Sequence, residues 1–477
     1  MNTLIYPILR QLSIIATLLI FSITAVLAKE KPNFVIVLGD DVSWSSFGCV
    51  DSGLYTRTPN IDKLATQGIR FTNFACSVAQ CAPARHELYT GLLPPSSGVV
   101  ANGTKARGDF KSIINYLGDL DYNVGLTGKN HFKNKSAFIK VPGFSMDGNA
   151  DAPTWEMSGI KAFIEKSQTE KKPFCMVIAS VHAHHPWSVG ESKNFPRDKI
   201  VVPPHMVDTP HTREALSKHA AEVEDLDNQV GATMKLLDDM KLSEKTVLIF
   251  LSEQGTALPK GKWSIYDYGT RAVCLVRWPG KIEKGKLTDA VGMYCDIVPT
   301  LVDMAGGKPP AIDGKSLLPV LKGESLEHRE YAYLVHQYGG YTQRAIRNKE
   351  YKLIWTPVQK QDYYLDVMMD PTSKKFFALT WKQWLKKAKT DPDAQAKIDR
   401  VLKHPEFELY NIKKDPWELN NLASKSAYTQ IVEKMHAQLK TDMKRLKDTF
   451  STVDPKKEKR ERKGKDKKKK KKKKKSQ

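Results

Sequence analysis

The sequence has few cysteines, and their arrangement excludes several classes of protein. Six cysteines occur in 477 residues, and none belongs to a Cys-x-x-Cys pair. Zinc ribbons and small disulfide scaffolds are therefore excluded, although one or two disulfide bridges between unspecified partners remain compatible with the spacing. No nucleic-acid-binding motif accompanies the basic composition, so we expect no specific nucleic-acid partner.

The N-terminus lacks an apolar run of the usual membrane-spanning length. Arg10 precedes an apolar stretch over Leu12–Val26, and Ala28 is the small residue that signal peptidase requires. We therefore predict a signal peptide over residues 1–28, with cleavage before Lys29 and export to the periplasm or the extracellular space. A retained N-terminal anchor is the alternative, and no nearby cysteine indicates a lipoprotein.

Positive charge is concentrated at the C-terminus. Residues 455–477 contain fourteen Lys and two Arg against three acids, which is a net +13 of the formal total of +22. Because an unbroken lysine run stays solvated, we predict a disordered tail over residues 451–477. The tail either binds a polyanion, such as a sulfated glycan, or only increases solubility.

Residues 29–330 alternate short apolar runs with helix-like stretches, which predicts an α/β fold with a mostly parallel sheet. Open α/β sheets bind ligands at the carboxyl ends of their strands. Four apolar runs end at polar side chains, so we expect these side chains to form one site. They are Asp40 and Asp41, Lys129 and His131, His182, His184 and His185, and Glu253 and Gln254. Of these, His182 and His185 are expected to be structural.

Four of these residues can bind a metal ion through side-chain oxygen atoms. Asp40, Asp41 and Glu253 supply carboxylates, and Gln254 supplies an amide oxygen. Such a set suits a hard divalent cation, calcium before magnesium, whereas zinc prefers histidine or cysteine. One Asp-Asp pair alone is better explained by a surface turn or a helix cap. Two oxygen-bearing pairs, each after an apolar strand, favour a metal site.

The run CAPARHELYTG predicts a short helix that begins at Cys81. Pro83 suits the first turn, Arg85 lies one turn after the cysteine, and Gly91 suits the helix end. A helix N-terminus binds anions. The alternative is an ordinary buried cysteine before a helix. The segment also resembles the Cys-x-Pro-x-Arg signature of type I sulfatases, in which a maturation enzyme oxidises the cysteine to formylglycine.

The resemblance to type I sulfatases extends from about Pro32 to Ala423. The matching pieces occur in order and include NFVIVLGDD, CAPAR, GLTGKNH, HHPW, SEQG, GKW and ELYNIKKDPWELNNLA. The resemblance implies an alkaline-phosphatase-like sulfatase fold, with a large mixed sheet flanked by helices and a smaller C-terminal antiparallel sheet. It divides the chain into a catalytic domain at residues 29–330 and a smaller α+β domain at residues 331–450.

The resemblance also implies roles for particular residues. A formylglycine derived from Cys81 is the nucleophile, and one calcium ion is held by Asp40, Asp41, Glu253, Gln254 and the modified Cys81. Arg85, Lys129 and His131 hold the formylglycine and the sulfate, His184 contacts the substrate, and Lys262 binds the sulfate. Most relatives have Asp followed by Asn or His where this chain has Glu253-Gln254. The flexible coordination of calcium tolerates the extra methylene groups.

The implied activity is hydrolysis of a sulfate ester or an N-sulfate on a sulfated carbohydrate. The pattern SEQG…PKGKW…YD resembles a subgroup related to N-sulfoglucosamine (heparan-type) sulfohydrolases. In the implied mechanism, His184 or Lys262 protonates the leaving group, and His131 accepts the proton that accompanies sulfate release. The alternatives are a phosphodiester or phosphonate monoester hydrolase on the same scaffold, and a non-catalytic protein that binds polyanions.

The C-terminal region predicts strands and one long helix. Tyr331–Val335, Arg344–Trp355 and Phe407–Tyr410 are the expected strands, and Ala427–Leu446 is the expected helix. The aromatic stretch Tyr363–Trp384 either lines a glycan-binding cleft or packs in the core. Its helical spacing of apolar residues favours packing.

Overall fold

The computed structural model describes residues 31–54, 56–144, 155–338, 341–357, 363–370 and 372–449. The predicted signal peptide and the Lys-rich tail lie outside these residues. In the part of the chain that is described, no helix is both long enough and apolar enough to cross a membrane.

A large sheet forms the centre of the molecule. Its strands are β1 (Asn33–Gly39), β2 (Ile69–Ala75), β3 (Asn123–Gly128), β4 (Ile139–Lys140), β5 (Phe174–Ala179), β6 (Thr246–Ser252), β7 (Arg271–Arg277), β8 (Lys286–Thr288) and β9 (Gly292–Met293). The order is β4-β3-β5-β1-β6-β7-β2-β8, and β9 also pairs with β2. Among these strands only β7 runs antiparallel to its neighbours. The predicted mostly parallel sheet is confirmed.

Helices cover both faces of this sheet because its central strands are apolar on both sides. In β1, Phe34, Ile36 and Leu38 pack on one face, and Val35 and Val37 pack on the other. The α-helices of the whole described chain, including those that do not contact the large sheet, are α1 (Pro59–Thr66), α2 (Cys81–Thr90), α3 (Pro94–Ser97), α4 (Ile113–Gly118), α5 (Ser158–Thr169), α6 (Pro210–Asp239), α7 (Asp267–Thr270), α8 (Ile297–Met304), α9 (Leu318–Leu321), α10 (Asp366–Met369), α11 (Phe376–Ala388), α12 (Pro392–Leu402) and α13 (Thr429–Arg445).

A smaller antiparallel sheet follows, as the resemblance implies. Its strands are β10 (Ala332–Tyr338), β11 (Tyr341–Arg347), β12 (Tyr351–Trp355) and β13 (Phe407–Asn411), paired in chain order. Met435 and Leu439 of α13 pack in the same apolar cluster as Leu353 of β12 and Leu409 of β13. The helix therefore covers one face of the small sheet.

The prediction of one strand over Arg344–Trp355 is wrong, because a tight turn divides this segment into β11 and β12. The side-chain oxygen of Asn348 accepts hydrogen bonds from the backbone N–H groups of Glu350 (2.9 Å) and Tyr351 (2.7 Å). Asparagine stabilises turns in this way. The segment is therefore a hairpin.

The structure answers two questions that the sequence left open. All six cysteines lie in described residues, and all are free thiols.

Trp381 and Trp384 of α11 are buried, and Trp384 Nε1 donates a hydrogen bond to Thr212 Oγ1 at 2.9 Å. The packing interpretation is confirmed for these two tryptophans.

A buried ion cluster connects the two sheets, and we call Asp267, Arg347, Lys352 and Glu418 the interface cluster. Lys352 Nζ lies 2.9 Å from both Asp267 Oδ1 and Glu418 Oε1. Arg347 Nη1 lies 3.2 Å from Asp267 Oδ2. Burial acts to raise the pKa of Asp267, but the adjacent Arg347 and Lys352 lower it to about 2. Two cations therefore balance two carboxylates inside the protein.

Candidate active site

Two neighbouring strands of the large sheet end at acidic and amide side chains. Strands β1 and β6 are parallel and paired up to their last residues. The side chains that follow them, Asp40 and Asp41 after β1 and Glu253 and Gln254 after β6, therefore leave the sheet at the same level. All four are buried. One ligand atom from each of the three carboxylates lies within 4.8 Å of the other two.

Cys81 is the first residue of α2 and is buried next to these acids. Gln80 precedes the helix in an extended conformation, and Gly91 ends it at a φ of 69°. That left-handed conformation favours glycine, which explains the length of the helix. The free N–H groups and the positive dipole end of α2 therefore surround the thiol, which is a favourable position for an anion.

Arg85 lies one turn further along α2 and is completely buried. Its Nε pairs with Glu253, its Nη2 lies 3.7 Å from Asp40 Oδ1, and its Nη1 donates a hydrogen bond to the carbonyl of Lys129. Burial acts to lower the pKa of Arg85, but Glu253 and Asp40 outweigh it and raise that pKa. The guanidinium is therefore a fixed positive charge behind the cysteine.

Three further side chains direct positive charge or N–H groups to the same acids. Lys129 Nζ pairs with Asp40, and Lys262 Nζ lies 2.8 Å from both carboxylate oxygens of Asp41. His184 Nε2 lies 3.5 Å from Asp41 Oδ2. Burial opposes the charge on both lysines, but their carboxylate partners raise the pKa of each. We call Asp40, Asp41, Cys81, Arg85, Lys129, His184, Glu253, Gln254 and Lys262 the site cluster.

The carboxylates of the site cluster are not equivalent. Burial acts to raise the pKa of Asp40, but Lys129 and other cations hold it well below its usual range. For Glu253, burial outweighs the ion pair with Arg85 and raises the pKa well above its usual range. The cations of the chain therefore do not fully compensate the buried carboxylates.

Several oxygens of the site cluster have no hydrogen-bond partner among the described residues. They are Asp40 Oδ1, both carboxylate oxygens of Glu253, and Gln254 Oε1. Arg85 forms ion pairs with Asp40 Oδ1 and Glu253 Oε1, whereas Glu253 Oε2 and Gln254 Oε1 have neither kind of contact. The amide nitrogen of Gln254 donates to Asp41, which leaves its oxygen unsatisfied. Buried polar atoms are nearly always paired, and four oxygens from carboxylates and an amide suit calcium. The residues present therefore fit a hard divalent cation.

His131 lies at the exposed rim of the site, close enough for Lys129 and Arg85 to influence its charge. Partial burial of the ring, together with these two cations, lowers the pKa of His131 to about 4. Its imidazole is therefore neutral at physiological pH. Within the described residues, no hydrogen bond joins this side chain to Cys81, so its predicted role rests on proximity alone.

The two histidines expected to be structural make contacts of that kind. His182 is buried, and its Nδ1 lies 2.7 Å from Glu222 Oε2, while its carbonyl accepts the backbone N–H of Asp40 at 2.8 Å. His185 packs against Phe377 with ring centroids 4.6 Å apart. These contacts support the loop that carries His184.

Sequence reasoning missed Asn102, which contacts Cys81 from an exposed loop. Its Nδ2 lies 3.7 Å from Cys81 Sγ, its Oδ1 accepts the backbone N–H of Ala82 at 3.1 Å, and its own N–H donates to Gln80 Oε1 at 2.8 Å. The loop has no apolar periodicity, and the Asn-Gly pair signals only a turn. The residue is recognisable only from the folded chain.

The general sulfatase family model matches residues 32–307, which is more than half of the chain and includes every residue of the site cluster. The chain belongs to the sulfatase family. A second model, for the C-terminal region of N-sulphoglucosamine sulphohydrolase, matches residues 261–383 of this sulfatase. The family assignment and the predicted subgroup are thereby confirmed, and the enzyme class is that of the sulfuric ester hydrolases.

Individual relatives resemble this sulfatase over most of its length. An ulvan-active sulfatase of Formosa agariphila is 29% identical over 449 residues, which cover 89% of this chain and 82% of that protein. Human N-sulphoglucosamine sulphohydrolase is 23% identical and covers 87% of this chain and 90% of its own. A solved structure in complex with its substrate D-glucosamine-2-N,6-O-disulfate has a TM-score of 0.66 at 18% identity, covering 88% of this chain and 99% of that one. The structural likeness confirms the fold.

Proposed function

We propose that this sulfatase is an exported enzyme that removes O- or N-linked sulfate from a sulfated carbohydrate, using calcium and a formylglycine derived from Cys81. The observation that carries the proposal is the position of Cys81. The cysteine begins a helix, it is buried, and it lies beside three fixed cations and a set of unsatisfied oxygens. A merely structural cysteine does not require these surroundings.

Formylglycine, when hydrated, supplies a hydroxyl nucleophile and a second hydroxyl through which sulfate is released. The residues of the chain bind and orient the sulfate for that chemistry. Arg85, Lys129 and Lys262 carry positive charge that is already fixed by carboxylate partners. Fixed cations stabilise the negative charge that develops on the departing group at little reorganisation cost.

Proton transfer is assigned to the histidines and to Lys262. His184 lies beside Asp41 at the open side of the site, where it or Lys262 donates a proton to the leaving oxygen or nitrogen. Proton acceptance is assigned to His131, which is neutral because its pKa is lowered to about 4 and which therefore has a ring nitrogen free of a proton. These two assignments separate the acid and the base of the reaction.

Calcium is the metal we propose, with Asp40, Asp41, Glu253, Gln254 and the modified Cys81 as its ligands. Bound there, it would supply positive charge to the site. Calcium accepts six to eight oxygen ligands in flexible geometry, whereas magnesium requires a near-ideal octahedron. The side chains Glu253 and Gln254 are long and flexible, which favours calcium.

Names of relatives indicate the substrate class. The ulvan-active sulfatase and the N-sulphoglucosamine sulphohydrolase both act on sulfated carbohydrates according to their names. We therefore propose a sulfated saccharide as the substrate, released from a polysaccharide outside the cytoplasm. The proposed signal peptide provides export, a maturation enzyme modifies Cys81, and the Lys-rich tail is proposed to bind polyanions.

A substrate panel tests this proposal. The enzyme, produced together with a maturation enzyme, is incubated in calcium with O-sulfated and N-sulfated monosaccharides and with matched phosphate and phosphonate esters. Ion chromatography measures the anion released, and Cys81→Ala is the inactive control. Release of sulfate above phosphate by at least about tenfold supports the proposal. Preference for the phosphorus esters favours the alternative hydrolase, and absence of any turnover by fully matured protein favours a polyanion-binding protein.

A further inference from the structure

A second basic cleft lies between the large sheet and the small sheet. It has a volume of about 430 Å³ and is lined by side chains from both sheets. Arg70 and Asn73 come from β2, Arg271 begins β7, Arg347 ends β11, and Trp417 follows β13. We call it the junction cleft. No residue of the site cluster lines it.

Arg70 and Arg271 differ from the other cations of the junction cleft, because neither forms an ion pair among the described residues. Arg347 belongs to the interface cluster and lies 3.2 Å from Asp267 Oδ2. Among the described residues, neither Arg70 nor Arg271 has a carboxylate oxygen within 4.0 Å. A structural role as an ion-pair partner therefore explains Arg347 but explains neither of the other two.

The acidic residues that line the cleft do not compensate these arginines. Asp289 lies 2.8 Å from Lys349 and 3.5 Å from Lys413, so its charge is already shared between two lysines. Asp51 is exposed to solvent. The cleft therefore keeps an excess of positive charge.

Arg271 is held in place without an ion pair. Its guanidinium lies over the ring of Trp44, 4.2 Å from the centroid, and its Nη2 donates to the carbonyl of Thr72 at 2.9 Å. Burial lowers the pKa of Arg271 to about 10; Arg347 and Arg70 add to this shift, and the carboxylates of the interface cluster oppose it. Such a repelled and oriented guanidinium favours a bound oxyanion.

Buried donors without partners provide a second, independent indication. Within the described part of the chain, Trp44 Nε1 and Arg347 Nε have no hydrogen-bond acceptor. Trp44 is 4% exposed and Arg347 is 2% exposed, and both residues line the cleft. Leaving buried donors unpaired is unfavourable, and an oxyanion supplies the missing acceptors.

We propose that the junction cleft binds a sulfate group of a sulfated glycan chain at a second site, separate from the site of hydrolysis. The inference rests on the proposed function, because that function makes sulfated glycan the substrate. The cleft then increases affinity for long chains without taking part in the reaction. The same chemistry also fits free inorganic sulfate, which is the other source of this anion.

A binding experiment on a Cys81→Ala background tests the proposal without turnover. Isothermal titration calorimetry measures the affinity of a heparin-type sulfated hexasaccharide for two proteins. One carries Cys81→Ala alone, and the other carries Cys81→Ala together with Arg70→Gln. The matched control is Arg445→Gln, which removes the same charge from α13, where the side chain is 54% exposed and paired with Asp442. We expect Arg70→Gln to weaken binding about tenfold, and Arg445→Gln to change it less than about twofold.

Other outcomes contradict the proposal. Equal hexasaccharide affinities for the Arg70→Gln and Arg445→Gln proteins overturn it, provided that both unfold at the same temperature as the parent. Titration with sodium sulfate distinguishes the two anion sources. If Arg70→Gln weakens binding of sodium sulfate but not of the hexasaccharide, the cleft is a free-anion site and the glycan proposal is wrong.

Kinetics of the matured enzyme separate this proposal from the proposed function. Arg70→Gln should raise KM about tenfold for the hexasaccharide with kcat unchanged, and it should alter neither constant for a monosaccharide sulfate. If the matured parent hydrolyses no sulfate ester, the proposed function fails. The calorimetry then still decides whether the junction cleft binds the hexasaccharide.

Discussion

The site cluster and the interface cluster are both buried and charged, but the chain provides a partner for every carboxylate oxygen of only one of them. In the interface cluster, Glu418 Oε1 has a cation at 2.9 Å and Asp267 Oδ2 has one at 3.2 Å. In the site cluster, Glu253 Oε2 and Gln254 Oε1 have neither a hydrogen bond nor an ion pair among the described residues. Unpaired buried oxygens are destabilising, so the oxygens of the site cluster require a further cation, whereas the carboxylates of the interface cluster do not.

Each cluster contains one carboxyl group whose pKa is lowered and one whose pKa is raised. In the interface cluster, cations lower the pKa of Asp267 to about 2 while burial raises the pKa of Glu418. In the site cluster, cations hold the pKa of Asp40 well below its usual range while burial raises the pKa of Glu253 well above it. The interface cluster stabilises the junction of the two sheets. The site cluster differs in its unpaired oxygens, which a bound cation would satisfy, and strained polar groups of this kind are typical of functional sites.

The largest expected effect is confined to the site cluster. Cys81→Ala removes the nucleophile, so we expect sulfate release to fall by at least about 10⁴-fold while the unfolding temperature changes little. Cys49→Ala is the matched control, because Cys49 is also a free thiol but lies outside the site cluster. Residual activity in Cys81→Ala comparable to that of the parent contradicts the assignment of Cys81.

The interface cluster should carry the largest effect on stability. Asp267→Asn leaves Arg347 and Lys352 without their shared carboxylate, so the free energy of unfolding should fall by about 3–5 kcal/mol. Denaturant unfolding of the parent and the variant measures the difference. A loss below about 1 kcal/mol shows that the two sheets do not depend on this ion cluster.

Calcium should distinguish the clusters directly. At a free calcium concentration of about 100 times its Kd, binding to the folded state raises the free energy of unfolding by about 2.7 kcal/mol. Glu253→Gln should lose most of this gain, because it removes a proposed ligand charge. Asp267→Asn should keep the gain while starting from lower stability. Thermal unfolding in calcium and in EGTA measures both, and equal loss of the gain in the two variants argues against the metal site.

Acid should weaken the interface cluster. The pKa of Asp267 in the folded protein is about 2, below its ordinary value of 3.8, so its ionisation stabilises the protein above pH 3.8. That contribution, about 2 kcal/mol, is lost as the pH falls through 3.8 towards 2. Urea unfolding between pH 5 and pH 2 should therefore show the difference between the parent and Asp267→Asn narrowing. A constant difference contradicts the depressed pKa.

The smallest expected effect concerns Asn102. Its amide contacts Cys81 Sγ and the first turn of α2, so Asn102→Ala should lower kcat about tenfold with little change in stability. Asn60→Ala is unsuitable as a control because Asn60 binds Asp227. Asn134→Asp, which changes a loop residue bonded to the carbonyl of Phe110, is the better comparison. An unchanged kcat in Asn102→Ala limits Asn102 to a structural contact.

The sequence predicts the sheet and much of the site because both depend on local patterns. Apolar runs followed by Asp40-Asp41 and Glu253-Gln254 indicate strand ends, and parallel pairing then brings these residues together. The hairpin between β11 and β12 was missed because its turn depends on hydrogen bonds of Asn348. The contact of Asn102 and the junction cleft were also missed, since they join distant segments through loops without periodicity. Patterns along the chain do not determine such contacts.

Peptide mass spectrometry of the natively produced protein tests the central claim most directly. Cleavage after Arg70 and Arg85 yields one peptide, residues 71–85, that contains both Cys76 and Cys81. We predict that fragment ions place a mass decrease of about 18 Da on Cys81, the change from cysteine to formylglycine, while Cys76 remains a thiol. Two unmodified thiols in this peptide, from protein made by its own host, would contradict the account.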